Sequence, residues 1–189
     1  TPLYSSAASD VYKRQLLDRA REWARQSEVN QELVGVEIPV GVHVGEGVRI
    51  GGYMDRLLRD EEGNYLVVDL KTGKNQPAKK EAEDHVQLMT YQLALAHGAF
   101  DGHQVHDGEG MPRQGGVLVY PGATTKKIGE IWQSDKSPEA LEEFAALLPP
   151  LVEEMRGPRI TARTNKDCDK CPIRSICPVQ EEGRMTTDA

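Results

Sequence analysis

The chain has 189 residues, 28% charged and 38% hydrophobic, with a mean hydropathy of −0.55; this is the composition of a folded globular domain and excludes disordered and fibrous classes. No apolar run reaches the roughly 20 residues that a membrane-spanning helix needs. A net charge of −7 and a pI near 5.3 argue against a protein that grips nucleic acid through a broad basic surface, but not against a nuclease, whose metal ions bring positive charge of their own to an acidic site.

Residues 1–15, TPLYSSAASDVYKRQ, carry small polar residues without a clean period and lack the apolar stretch of a signal peptide. They resemble adapter-derived read-through at the ends of translated metagenome reads. The expectation is therefore a non-native tail at 1–15 and a domain over 16–189 that lacks its true N-terminus. Leu16 to Ser27 predicts a helix with Leu16, Leu17, Ala20, Trp23 and Ala24 on one stripe. Three β-rich runs follow, VGVEIPVGVHV, VRIGGYMDRLLR and NYLVVDLKT, and the cluster Asp60-Glu61-Glu62-Gly63-Asn64 makes the last two a hairpin.

Residues 78–97 read as one amphipathic helix, with Val86, Met89, Leu93 and Ala96 on one side and Gly98 as its C-cap. After a glycine-rich loop at 101–116, GVLVYP reads as a buried strand and KKIGEIW as another. Ser137-Pro138-Glu139 then opens a helix through Leu148 that Pro149-Pro150 kinks or ends. Strands alternating with helices predict one α/β domain around a mixed sheet, with neither repeat nor linker.

Centring the hairpin turn on Glu62 puts Asp55 directly opposite Asp69. Directly opposed residues have Cβ atoms about 5 Å apart, where two carboxylates repel unless a cation neutralises them. Lys71 lies two residues beyond Asp69 on the same strand face. Two carboxylates to hold Mg²⁺, with an ammonium to position water and offset charge on the phosphorane oxygens, are what phosphodiester hydrolysis requires. The alternative is a solvated charged face with Lys71 as a salt-bridge partner. Against it, Asp69 follows the apolar run Leu66-Val67-Val68, a central-strand setting where an unpaired carboxylate is costly. On the next helix Gln87 and Tyr91 are four apart and share a face. Both side chains suit contacts to phosphate oxygens.

Gly52-Tyr53-Met54-Asp55-Arg56, then Val67-Val68-Asp69-Leu70-Lys71-Thr72-Gly73, then Gln87-Leu88-Met89-Thr90-Tyr91, resemble the G-x-x-D, D-x-K-T-G and Q-x-x-x-Y motifs of RecB-family nucleases of the PD-(D/E)xK superfamily. The motifs stand in the family order from about Val36 to the C-terminal cysteines. The resemblance implies a restriction-endonuclease-like fold, a mixed β-sheet core flanked by helices with a C-terminal cysteine-rich clasp at 165–180. It also implies Mg²⁺ (or Mn²⁺) bound by Asp55, Asp69 and the Leu70 carbonyl, with Lys71 as the catalytic lysine and Gln87 and Tyr91 supporting the site and the DNA. Glu37 sits where these domains often carry a glutamate.

Cys168, Cys171 and Cys177 are the chain's three cysteines. Their crowding reads as ligation of Zn²⁺ or an iron-sulfur cluster in a reducing compartment, so the cytoplasm is the expected location. The run CDKCPIRSICPVQEEGR resembles the C-terminus of AddAB/AdnAB-type helicase-nuclease subunits, which implies a [4Fe-4S] cluster whose fourth cysteine precedes the nuclease core. In the same family a histidine on the first helix completes the metal site, and no histidine precedes His43. The implied function is exonuclease-type DNA hydrolysis in double-strand-break repair, alongside a helicase motor domain in the parent chain and a second helicase-nuclease subunit. The alternatives are a non-catalytic DNA-binding module that keeps the fold and cluster, or a zinc-bearing interaction domain. Arg156, Arg159, Arg163, Lys166, Lys170 and Arg174 add a local basic excess as a candidate contact for DNA phosphates.

Overall fold

The computed structural model describes residues 6–44, 47–100, 103–104, 111–122, 127–158 and 161–184. They fall into two compact units, Thr1–Pro149 and Pro150–Ala189. None of the helices among the described residues is long and apolar enough to cross a membrane.

The first unit is built on a seven-stranded sheet. Its long strands are β1 (Glu32–His43), β2 (Arg49–Arg59), β3 (Tyr65–Leu70), β6 (Arg113–Tyr120) and β7 (Gly129–Gln133), and β4 (Ala99–Phe100) and β5 (His103–Gln104) are short. The spatial order is β5-β4-β1-β2-β3-β6-β7. Only β3 and β6 pair in parallel; every other neighbouring pair is antiparallel. This mixed sheet with helices is the fold class that the motifs imply.

The β2–β3 hairpin has the register expected from its turn, with Arg56↔Val68, Leu57↔Val67, Leu58↔Leu66 and Arg59↔Tyr65. Gly63 adopts φ 88° in that turn, which glycine tolerates without a Cβ clash. Asp60 closes it, accepting from Asn64 N–H at 2.7 Å and from the Asn64 side chain at 3.0 Å.

Helix α1 (Ser6–Ser27) begins well upstream of Leu16 and places Trp23 in a core cluster with Leu58, Leu66, Val68, Val117 and Val119. Trp23 Nε1 donates to Glu130 at 2.6 Å, so the buried indole has its partner. On the sheet's other face the expected single helix is two. α2 (Lys79–Glu83) and α3 (Val86–Ala96) are separated at Asp84-His85.

The physical reason for the break lies on β7. The buried Gln133 amide donates to the carbonyls of Ala82, Glu83 and His85 at 2.9, 3.1 and 3.2 Å, which diverts the acceptors of a continuous helix. The predicted apolar stripe also shifts. Leu88, Tyr91, Gln92, Leu93, Ala94 and Leu95 are buried, whereas Val86 is exposed. Gly98 does cap the helix, at φ 62°. Ser137 Oγ accepts from Ala140 N–H at 3.2 Å and starts α4 (Pro138–Ala146). Pro149 and Pro150 fall in the first turn of a new helix, α5 (Leu148–Arg156), where a missing N–H costs nothing.

The second unit has almost no core: among its described residues only Gly183 is buried. Two 3₁₀ turns, Cys168–Lys170 and Arg174–Ile176, precede the short helix α6 (Glu181–Arg184). A Cβ on Gly183 would collide with the backbone of Cys177, so that close approach requires glycine. The segment of the glycine-rich loop at 105–110 lies outside the described residues, as does Arg159.

Candidate active site

Asp55, Asp69 and Lys71 come together because β2 and β3 keep their register up to the hairpin's open end. The last ladder pair is Arg56↔Val68, which leaves Asp55 and Asp69 next in line. Asp55 Oδ2 accepts the Leu70 backbone N–H at 2.7 Å, fixing that carboxylate beside the Leu70 peptide. Asp69 is 2% exposed. Burial raises its pKa, and the adjacent Lys71 opposes that shift only in part.

Lys71 Nζ lies 2.7 Å from Asp69 Oδ2. That oxygen is buried, with the Lys71 ammonium as its ion-pair partner. The same ammonium donates to Gln87 Oε1 at 2.6 Å, Gln87 Nε2 donates to the Tyr91 hydroxyl at 2.9 Å, and Tyr91 donates to the Tyr53 carbonyl at 2.6 Å. The relay runs from β3 through one face of α3 and back to β2, two residues before Asp55. It explains the four-residue spacing of Gln87 and Tyr91, since only that spacing stacks both side chains over the lysine.

Glu37 also reaches this neighbourhood. The pairs Val36↔Arg56 and Ile38↔Met54 put it opposite Asp55. Its φ of 49° interrupts the ladder there, a conformation that costs a non-glycine residue about 1 kcal/mol or more and clusters at functional sites. The negative charges of Asp69, Asp55 and Glu37 all act on the Tyr91 hydroxyl, whose pKa is raised first by burial and then by these acids.

Two residues absent from the sequence reading border the same spot. His85, at the N-terminal end of α3, has a pKa lowered by burial and next by the Lys71 charge, and its Nδ1 is buried without a partner. Tyr120 ends β6, one step beyond the ladder pair Leu70↔Val119 and hence beside Lys71. Its pKa is raised by burial and by Asp69. The sequence carried no local signal for either: the break at His85 is set from β7, and Tyr120 reaches the site because β6 pairs in parallel with β3, at whose carboxyl end ligands of α/β sheets bind.

The donor set at the hairpin's open end fits a hard divalent cation: two carboxylates, one of them buried, and the carbonyl of an exposed peptide. Among the described residues, however, no three His, Cys, Asp or Glu side chains are gathered closely enough to hold a metal, here or at the cysteines. Cys168, Cys171 and Cys177 are all half-buried free thiols, with Asn165 N–H donating to Cys168 Sγ at 3.1 Å. The basic excess is largely neutralised locally, because Arg156 pairs with Glu153, Arg163 with Glu154 and Arg174 with Asp169.

A fold with helices on both faces of a mixed sheet, and an Asp-x-Lys strand opposed by an aspartate, defines a nuclease class. The chain belongs to the PD-(D/E)XK nuclease superfamily, whose family model matches residues 3–178. Among solved structures it is similar to the crystal structure of SSO0001, with a TM-score of 0.51 and 20% identity over 93% of this chain and 72% of that one. That likeness speaks for the fold alone. No curated protein matches the chain.

Proposed function

We propose that the chain is a metal-dependent deoxyribonuclease of exonuclease type, working within a double-strand-break repair helicase-nuclease in the cytoplasm. The observation that carries the reading is Asp69: a carboxylate 2% exposed and next to Asp55, held 2.7 Å from the Lys71 ammonium, with a pKa that burial raises despite that ion pair. A buried carboxylate set beside a second carboxylate with a single lysine as partner costs the fold stability, and such perturbed charged groups cluster at functional sites.

Mg²⁺ or Mn²⁺ held by Asp55, Asp69 and the Leu70 carbonyl would supply Lewis acidity toward the phosphoryl oxygen and a lowered pKa for water. The chain's own groups do the rest. Gln87 steers the Lys71 ammonium, which orients the attacking water and offsets charge growing on the phosphorane oxygens. Tyr91, whose proton is committed to the Tyr53 carbonyl, locks Gln87 in the orientation that presents Oε1 to the lysine. Glu37 stands at the acidic rim.

The three sulfur donors suit an iron-sulfur cluster by chemistry, and such a cluster takes four ligands, one more than these cysteines provide. The bond from Asn165 N–H to Cys168 Sγ is of the kind that tunes cluster thiolates. Iron and zinc content of the purified protein distinguishes this cluster from a zinc-bearing interaction domain.

The decisive experiment is cleavage of linear single- and double-stranded DNA with Mg²⁺ or Mn²⁺, comparing the protein with Lys71→Ala. Loss of cleavage by about 100- to 1000-fold in a folded variant is expected. A folded protein that binds DNA and cleaves none would replace this reading with the non-catalytic binding module. That alternative is favoured by the absence, among the described residues, of a third side-chain ligand beside the two aspartates.

A further inference from the structure

The cleft is electrically lopsided. On the β1–β2 side of Asp69 stand Asp55 and, opposite it, Glu37. On the β6 side the neighbours are uncharged: Leu118 lies beside Asp69 and Tyr120 beside Lys71. In a parallel pair, neighbouring residues at matching register share a sheet face. Tyr120 therefore stands on the face of Asp69 and Lys71, at the carboxyl end of the strand next door.

Tyr120 is 6% exposed. The field of Asp69 reaches its hydroxyl, which has no hydrogen-bond partner among the described residues and is not one of the fully buried unpaired atoms. The contrast with Tyr91 is direct, since the Tyr91 proton is committed to the Tyr53 carbonyl at 2.6 Å. Of the two tyrosines at the site, Tyr120 is the one with a donor to offer.

Phosphodiester oxygens are acceptors only and carry negative charge. A cation held by Asp55 and Asp69 would draw one of them, whereas the others find an ammonium and a hydroxyl on the β6 side and no donor at Glu37. We propose that Tyr120 is a substrate-holding residue, its hydroxyl donating to a non-bridging phosphate oxygen of the DNA strand, so that the strand crosses the site on the β6 side of Lys71. The assignment rests on the nuclease reading above and adds the side of the site on which the strand lies.

The competing role is internal: the Tyr120 hydroxyl turning onto Asp69 to orient that carboxylate for the cation. The two roles separate in Tyr120→Phe, which removes one oxygen. Because that oxygen has no internal partner, the variant folds and melts at or above the wild-type temperature. The readouts are anisotropy of a fluorescein-labelled single-stranded oligonucleotide in Ca²⁺, steady-state cleavage in Mg²⁺, and the Mg²⁺ concentration for half-maximal rate. Binding about tenfold weaker, a KM raised by a similar factor, kcat within about twofold and an unchanged Mg²⁺ dependence are expected for one lost bond to a charged acceptor. Unchanged oligonucleotide binding with a shifted Mg²⁺ dependence assigns the hydroxyl to Asp69 and overturns the proposal. So does a fall in melting temperature, which would mean the hydroxyl serves the fold. If the wild-type protein cleaves no DNA, the nuclease reading falls first; if it cleaves and Tyr120→Phe matches it throughout, only the role of Tyr120 falls.

Discussion

The sheet unit and the cysteine unit solve the problem of folding in different ways. In Thr1–Pro149 the side chains of Met54, Leu57, Leu58, Val67, Val68, Leu88 and Val117 are wholly buried, and the candidate site is mounted on the strands that bury them. In Pro150–Ala189 the cysteine-bearing turns and α5 bury no residue at all. What holds that unit is a series of short turns and surface ion pairs, and such pairs contribute about 0–1 kcal/mol each. A sheet with a dry core keeps its site geometry by itself, whereas in the cysteine segment the proposed cluster would supply what a core does not, since metal binding and folding are coupled in such segments.

The sharpest way to break this comparison is Cys171→Ser. Bound metal should be lost and Pro150–Ala189 should become sensitive to protease, while melting of the sheet moves little, because none of the sheet's buried core residues lies beyond Leu141. Metal analysis, limited proteolysis and calorimetry read the three quantities; a collapse of sheet melting would show that the second unit supports the first.

A smaller effect should follow from Gln133→Leu, which removes the buried amide that donates to the carbonyls of Ala82, Glu83 and His85. It also strips Gln92 Nε2 of its Gln133 acceptor. The expected loss is about 2–3 kcal/mol, or about 6–10 °C in Tm. An unchanged Tm would mean the α2–α3 corner is held by other contacts.

Asp69 should show the reverse sign. Its folded pKa lies above the unfolded value of about 3.9, so the folded state binds the extra proton. Stability on this account is greatest at low pH, falls as pH rises through the window between the two values, and stays reduced above it. Asp69→Asn is therefore expected to melt higher than wild type at neutral pH without divalent ions, and to lose the rise in Tm that Mg²⁺ gives the wild type. Equal responses to Mg²⁺ would remove Asp69 from the cation's ligands. Least of all, Ser137→Ala should cost about 1 kcal/mol through the lost cap of α4, read as about 3 °C in Tm.

Much of the site was legible in one dimension because its spacing rules are local. The turn at Asp60–Asn64 fixes the register that faces Asp55 to Asp69, and helical spacing joins Gln87 to Tyr91. The break at His85 was not legible, because its cause, the Gln133 amide, lies far along the chain on β7. The apolar stripe of α3 was misassigned for a related reason. The helix packs between the sheet and α4, so Leu88, Gln92 and Leu95 are covered while Val86 is left to solvent.

By itself the sequence determined the class of fold, the two facing aspartates, the lysine that follows one of them, and the cysteine spacing; each depends on turn chemistry or on a strand or helix period that acts within a few residues. Only the tertiary structure decided that Asp69 is buried, that Glu37 adopts a left-handed backbone opposite Asp55, and that Tyr120 stands beside Lys71. The first and last arise from β6 pairing in parallel with β3 and from α3 closing over the sheet, and no local period encodes which distant strand becomes a neighbour.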